Sequence, residues 1–568
     1  MEDALTLSRR SAIRLGAGGG AALLLSACSP APSAPGPTPV NKNAAVLPTY
    51  VPLTGGPKPD YPSAGPEYED GFLRYPTYAQ PAWRKDPPGK GSVVNAFTLK
   101  LSANPATPYE QNAAWQETQR QLNATINFSS PLQADYPARI ATIMAGSDLP
   151  DMILFNGGLN VGPTSVPNLA QFLEQSAADL TPYLGGDAAK DYPFLAAIPT
   201  YAWKNSGCAY NGKLYMWPLQ RYLPGTAFIK NVDLWNQEFG VDYVPKNADD
   251  FKRMLVQVTN ARDGRYGLGG SAGVVSGGAL GLQSVLRLFP SIFGAPNNWR
   301  LDGANLVKDY ETPEYRESML YLRDLVAAGV FFPDSLTNPS GPTTQSFPTG
   351  RAALTIASFG VTWTSMYTAL QAIKPAINWL PLAPFAAHDG AKPVHHLGPG
   401  FLVTLALKKA PPERVKELLS IVDWLTAPFG SAEDLLLTYG IPGVDHTLDE
   451  SGRPIATPRA SPDVDAVGWK YISQRPQVMT WPAWPDYAKV AYDFEHVTIP
   501  VGISDPTLGV VSQTNFARGV QINQVFTDAM GDIVLGRRQP ADFDQLVKDW
   551  QTSGGNQIRT ELLRGLPG

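Results

Sequence analysis

The chain has 568 residues, of which 43% are hydrophobic and 17% charged, with a formal net charge of −5 and two cysteines. Mild acidity argues against a nucleic-acid partner, which favours a basic surface, and two cysteines exclude a disulfide-dense scaffold. A chain of this length exceeds one ordinary hydrophobic core, so at least two lobes are expected.

At the N-terminus Arg9, Arg10 and Arg14 precede an uncharged stretch, residues 15–27, that leads into Leu25-Ser26-Ala27-Cys28. Basic, then apolar, then small residues is the order of a secretory signal. The stretch is too short and too rich in glycine to remain as a transmembrane helix. Leu25-Ser26-Ala27-Cys28 resembles the bacterial lipobox, which implies removal of residues 1–27 and acylation of the Cys28 thiol. Ser8-Arg9-Arg10 resembles the twin-arginine export signal, although Ala12 stands where that signal usually has an aromatic residue. Removing residues 1–27 takes away three Arg and two acids and moves the net charge from −5 to −6. No later stretch is apolar enough to span a bilayer. Attachment to the outer face of the cytoplasmic membrane is therefore expected through lipid on Cys28 alone, and stable anchoring takes more than one acyl chain. Cys208 is then the one cysteine left, and no intrachain disulfide can form.

Residues 28–90 read as a tether: 15 prolines fall between positions 29 and 90, and such a segment extends rather than forming a helix. Its aromatic-rich part, residues 61–83, leaves open whether it lies on the folded body. Regular structure is expected from Gly91. Phe97, Leu99 and Leu101 alternate as in a strand, and residues 109–122 read as a helix. Ile140, Ile143 and Met144 mark a helix over 138–145 that ends at Gly146, followed by a buried strand at Met152, Ile153, Leu154 and Phe155. Strand, helix and strand in this order predict a parallel sheet with helical crossovers. Residues 313–328 (Tyr315, Met319, Leu322, Val326) and 412–426 (Val415, Leu418, Leu419, Val422, Leu425) carry the three-and-four spacing of amphipathic helices, with Gly329 and Pro428 as stops. The class is α/β.

Five segments, in order, resemble the extracellular solute-binding proteins of sugar importers, the group that includes maltose-binding proteins. They are Gly146-Ser147-Asp148-Leu149-Pro150-Asp151-Met152-Ile153, Asn211-Gly212-Lys213-Leu214-Tyr215-Met216-Trp217-Pro218, Phe228-Ile229-Lys230-Asn231-Val232-Asp233-Leu234, Phe347-Pro348-Thr349-Gly350-Arg351-Ala352-Ala353-Leu354 and Ile533-Val534-Leu535-Gly536-Arg537-Arg538-Gln539-Pro540. Length and the run Tyr439-Gly440-Ile441-Pro442 are similar to the larger lipoprotein branch that includes alginate-oligosaccharide binders. The resemblance implies a two-lobe, periplasmic-binding-protein-like fold with a cleft and crossing hinge strands. On it, residues 91–224 and 376–425 form the first lobe, 225–375 the second, and 426–568 helical segments that complete the lobes and hinge. Many members of that branch carry a calcium loop where this chain has Asn260-Ala261-Arg262-Asp263-Gly264-Arg265. One acid is too few for an ion that takes six to eight oxygens, so neither metal nor cofactor is expected.

Sugars present polar edges and apolar faces, and their sites combine aromatic platforms with hydrogen-bonding groups. Position within the motifs nominates Asn156 and Gly157, Gln220, Arg221 and Tyr222, Phe359 and Trp363, and Trp299. Arg221 suits a sugar carboxylate or, equally, a salt bridge at the hinge. Tyr222, Trp299 and Trp363 are expected to line one cavity. His395-His396 reads as an ordinary loop near the hinge, because no further ligand lies at metal-binding spacing. The function expected is that of a monomeric, lipid-anchored receptor that binds a carbohydrate and hands it to the permease of an ABC transporter. The alternative is a secreted hydrolase or lyase acting on carbohydrate, for which the chain offers no ordered set of motifs.

Overall fold

The computed structural model describes residues 45–566 except 77–79, 84, 101–103, 158–165, 167, 271–280, 339–340, 374–377, 451, 482 and 485. Cys28, the export signal and Leu101 lie outside the described residues.

The strands of the two main sheets are, in chain order, β1 (Ser92–Phe97), β2 (Ala124–Ser129), β3 (Met152–Asn156), β4 (Met216–Gln220), β5 (Thr226–Asn231), β6 (Tyr266–Leu268), β7 (Ala352–Ser358), β8 (Trp379–Pro381) and β9 (Phe401–Leu407). The first sheet runs β2-β1-β3-β9-β4 and the second β8-β5-β7-β6. In the first, β1 is parallel to both β2 and β3, while β9 is antiparallel to β3 and β4. Met152, Ile153, Leu154 and Phe155 are all buried, as a strand covered on both faces requires. The Ala113–Leu122 helix between β1 and β2 is capped by Asn112, whose side chain accepts from Trp115 N at 2.8 Å. It ends at Asn123 in the left-handed region (φ 48°), so one residue turns the chain straight into β2.

The second sheet is centred on β7, buried from Ala352 to Ala357. Phe251, Phe289, Met319 and Leu322 cover it together with Phe526 and Met530. The C-terminal helices Val520–Val534 and Asn556–Gly565 therefore complete this second core.

Residues 221–225 lead from β4 in the first sheet to β5 in the second, and 396–400 lead back into β9. The two crossings touch: Gly398 N donates to Leu223 O at 2.7 Å. A Cβ on Gly225 would stand 2.4 Å from His396 O, so only glycine permits that approach. A third segment joins them where Gly502–Ile503 pairs in parallel with His395–His396. Because β8 pairs with β5, the return to the first sheet falls at 396–400 rather than at the sequence-based boundary of 376. The change of sheet is set by that close approach of backbones, which the apolar pattern does not mark.

Ordered packing begins well before Gly91. Thr49 N donates to Gly186 O and Val51 N to Ala196 O, on the first lobe. Phe72 N donates to Met479 O, and the Phe72 ring lies 4.5 Å from that of Phe429. Tyr75 is 3% exposed and donates to Asp434 Oδ2 at 2.9 Å. The amides of Ala82 and Trp83 both donate to the Glu433 carboxylate. The described residues between 45 and 90 thus form a strap held on the body by intermittent backbone bonds and a few aromatic rings.

Candidate functional site

Strand direction positions the site. β3 and β4 of the first sheet end beside the start of β9, where Asn156 pairs with Val403 and Gln220 with Phe401. In the second sheet β7 ends beside the start of β5, with Ser358 opposite Thr226, and β6 runs parallel to β7. The carboxyl ends of strands from both sheets therefore meet at the crossings, the edge where open α/β sheets collect ligands.

Asn156 and Gly157 close β3 on that edge. Tyr136 Oη donates to Leu154 O at 2.9 Å and accepts from Asn156 N at 3.0 Å, which fixes the strand end. Gly157 takes φ 87°, a left-handed turn that suits glycine.

Gln220 is 2% exposed and satisfied by groups distant in sequence. Its Nε2 donates to Glu69 Oε1 at 3.0 Å, and its Oε1 accepts from Gln477 N at 2.7 Å. Arg221 Nη1 donates to Gln220 O at 2.8 Å and to Gln474 Oε1 at 2.7 Å. Burial lowers the Arg221 pKa, partly offset by Tyr222 and Tyr471. Arg221 lines a cavity of about 190 Å³ with Asp434, Trp469, Gln474 and Arg475. Tyr222 donates to Val478 O at 3.1 Å and stands edge-on to Phe359, ring centroids 5.1 Å apart.

Phe359 lies 4.8 Å from Trp363 and 5.7 Å from Phe494. Trp363 is fully buried, and its ring also meets Trp379 at 5.9 Å. Tyr222, Phe359 and Trp363 thus form a continuous aromatic pillar behind the crossings. Trp299 lies apart from it, in the second core, so the three rings expected to line one cavity divide between two places. The motif spacing locates them along the chain but does not say which way each ring turns.

Trp299 walls a larger cavity, about 360 Å³, with Lys308, Asp309, Tyr310, His396 and Asp505 among its lining. Lys308 Nζ pairs with Asp309 at 2.5 Å, bonds Asn298 Oδ1 at 3.0 Å and lies 5.5 Å from the Trp299 ring centroid. Asn298 Nδ2 donates to Asp505 at 3.1 Å. Burial raises Asp309 above the ordinary carboxylate range, opposed by Lys308, and burial likewise raises Asp505. Aromatic faces beside fixed polar groups are the surface that a polyhydroxylated ligand needs.

His395 and His396 form a short strand. His396 Nε2 lies 2.8 Å from Ala295 O, and burial holds His395 down at about 3 and His396 at about 4. Both are neutral side chains near physiological pH. Residues 260–265 form a tight turn in which Asn260 Nδ2 donates to Asp263 at 2.6 Å. Among the described residues no group of three His, Cys, Asp or Glu is arranged to hold a metal ion. The Cys208 thiol is buried and its pKa pushed up to about 12, which leaves it inert.

Sequence reasoning missed Glu69, Trp469, Gln474, Gln477, Lys308, Asp309 and Asp505. The aromatic richness of residues 61–83 was the one pointer to Glu69; the others carry no local signature.

Residues 103–430 match the family of bacterial extracellular solute-binding proteins. Two proteins of Bacillus subtilis (strain 168) are similar along most of their length. Lipoprotein LipO is 21% identical over 502 residues, covering 82% of this chain and 91% of that protein. The polygalacturonan/rhamnogalacturonan-binding protein YtcQ is 22% identical over 489 residues, covering 83% and 91%. Among solved structures, the alginate-binding protein AlgQ2 without calcium ion superposes with a TM-score of 0.57 at 14% identity, over 86% of this chain and 99% of that one. The likeness establishes a shared two-lobe α/β fold. No helix among the described residues is long and apolar enough to cross a membrane.

Proposed function

The chain belongs to the family of bacterial extracellular solute-binding proteins, and from that premise we propose that it is a lipid-anchored receptor that captures a carbohydrate between its lobes. The observation that carries the reading is the convergence of strand ends from both sheets on the crossings, with Asn156, Gly157 and Arg221 on that edge. These residues supply polar contacts. Tyr222 and Phe359 form the apolar wall behind them, Gln220 and Trp363 hold that wall in place, and Trp299 offers a ring face in the adjoining cavity. Rotation of one lobe about the crossing segments closes such a cleft on its ligand. Similarity to a polygalacturonan/rhamnogalacturonan-binding protein and to an alginate-binding protein supports a carbohydrate.

The receptor binds without catalysis, acts as a monomer and passes its ligand to the permease subunits of an ABC transporter. Cys28 carries the lipid that holds it at the outer face of the cytoplasmic membrane, a role supported by similarity to a lipoprotein. A thermal-shift screen against oligosaccharides of differing charge and length tests the reading. Ligand that binds only the folded chain must raise its melting temperature. Stabilisation by at least one oligosaccharide is expected; a screen in which none shifts the transition contradicts it.

A further inference from the structure

The Arg221 cavity carries an uneven charge. Arg475 is neutralised by Asp434 at 2.8 Å, and Lys470 pairs with Asp465 at 3.1 Å at the surface. Arg221 has no carboxylate within 4.0 Å among the described residues, and its bonds to Gln220 O and Gln474 Oε1 both leave from Nη1. Nε and Nη2 make no hydrogen bond to the described residues. The lining accordingly holds Arg221, Lys470 and Arg475 against the single carboxylate of Asp434.

The cavity also stands at the ligand-bearing edge of the first sheet. Trp469, one of its walls, meets Phe128 of β2 at 4.9 Å, and a Cβ on Gly468 would come 3.5 Å from Thr98, the residue after β1. At about 190 Å³ it is smaller than the roughly 300–1,000 Å³ of pockets that enclose a whole small ligand. Its size suits one residue of a chain.

We propose that this cavity is a subsite for a single uronic-acid residue, whose carboxylate is held by the free edge of the Arg221 guanidinium. The assignment rests on the carbohydrate reading above and narrows it to acidic sugars. The two oxygens of a carboxylate match the two parallel N–H bonds of Nε and Nη2 in planar, bidentate geometry. Neutral hydroxyls would satisfy the donors but leave the charge uncompensated, a costly state for a partly buried cation. Trp469 offers an apolar wall to the sugar ring.

The test is calorimetric titration of the purified chain with trigalacturonate, its methyl ester and neutral oligosaccharides of equal length, together with a trimannuronate as a second acid. The expected result is that at least one acidic trimer binds 10- to 100-fold tighter than its ester, the range of a charge-assisted hydrogen-bonded pair. Arg221→Gln should weaken the acid far more than the ester and so remove that preference, and Arg221→Lys should restore only part of it, because lysine keeps the charge but not the fork. Equal affinity for acid and ester in the unaltered chain overturns the proposal, and so does an acid preference that survives Arg221→Gln. The comparison of acid with ester needs no variant, so a poorly folding Arg221→Gln does not shield the claim. If neutral oligosaccharides bind and neither acid does, the subsite is wrong and the receptor reading stands. If no carbohydrate binds at all, both fall.

Discussion

Glu69 of the strap and Glu495 of the Tyr487–Thr498 helix face one another as buried carboxyl groups, with Glu69 N donating to Glu495 Oε2 at 3.3 Å. Glu69 is 5% exposed and Glu495 fully buried, and Glu69 also accepts from Tyr201 and Gln220. The pair therefore joins three parts of the molecule at one point: the strap, the end of β4 and a helix packed on the aromatic pillar.

That geometry fixes the direction of a pH dependence. Burial raises both pKa values above the ordinary 4.5, with the Glu69 charge adding to the rise at Glu495 and Asp70 to that at Glu69. The folded chain then binds protons more tightly than the unfolded chain, so the pair's contribution is full below pH 4.5 and is lost as pH rises through the folded-state values. Tyr201, Tyr222 and Tyr487 stay neutral throughout that window, since burial raises each of them too. Glu495→Gln, which keeps the shape without the charge, should flatten the fall in melting temperature from pH 5 to pH 8 relative to the unaltered chain. Parallel profiles for the two proteins would show that this pair does not carry the pH dependence.

The strap should behave as part of the core. Phe72 is 6% exposed against Phe429 and Val478, so Phe72→Ala is expected to cost about 3–4 kcal/mol of unfolding free energy. Chemical denaturation measures it. A loss below about 0.5 kcal/mol, the range of ordinary surface substitutions, would return residues 45–90 to the status of a free tether.

Trp363 and Trp299 should separate in their effects. Trp363 is fully enclosed, and Trp363→Ala should destabilise by about 3–5 kcal/mol. Trp299 borders the large cavity, and Trp299→Ala should weaken ligand binding roughly 5- to 150-fold, as loss of about 1–3 kcal/mol of buried contact implies. Melting temperature and affinity on each variant decide the matter; unchanged binding in Trp299→Ala removes that residue from the site.

Cys28→Ala should leave a chain that no longer fractionates with membranes, because acylation needs the thiol. Labelled fatty acid recovered on the variant would contradict the lipobox reading.

The regular elements were legible where one periodicity dominated. The apolar run at 152–155 is the buried β3, and the spacing over 412–426 is the Pro412–Leu425 helix. The strap was not legible, because proline-rich segments lack both periodicities and its hold depends on a few residues such as Glu69, Phe72 and Tyr75. The site was legible only along its backbone. The turn at Asn211 and Gly212, with φ values of 49° and 77°, delivers Gln220 and Arg221 to the crossing, and its residues are local. Their partners Glu69, Gln474 and Gln477 stand 151, 253 and 257 positions away, a separation that leaves no spacing to read.

The central claim is that the chain binds carbohydrate in its cleft and releases it intact. Its most direct test is isothermal titration of the purified chain with oligosaccharides, with the sugar recovered from the cell afterwards and sized by chromatography. Saturable one-to-one binding and recovery of the sugar at its original length are expected. Absence of binding across neutral and acidic oligosaccharides, or recovery of shortened products, would contradict it.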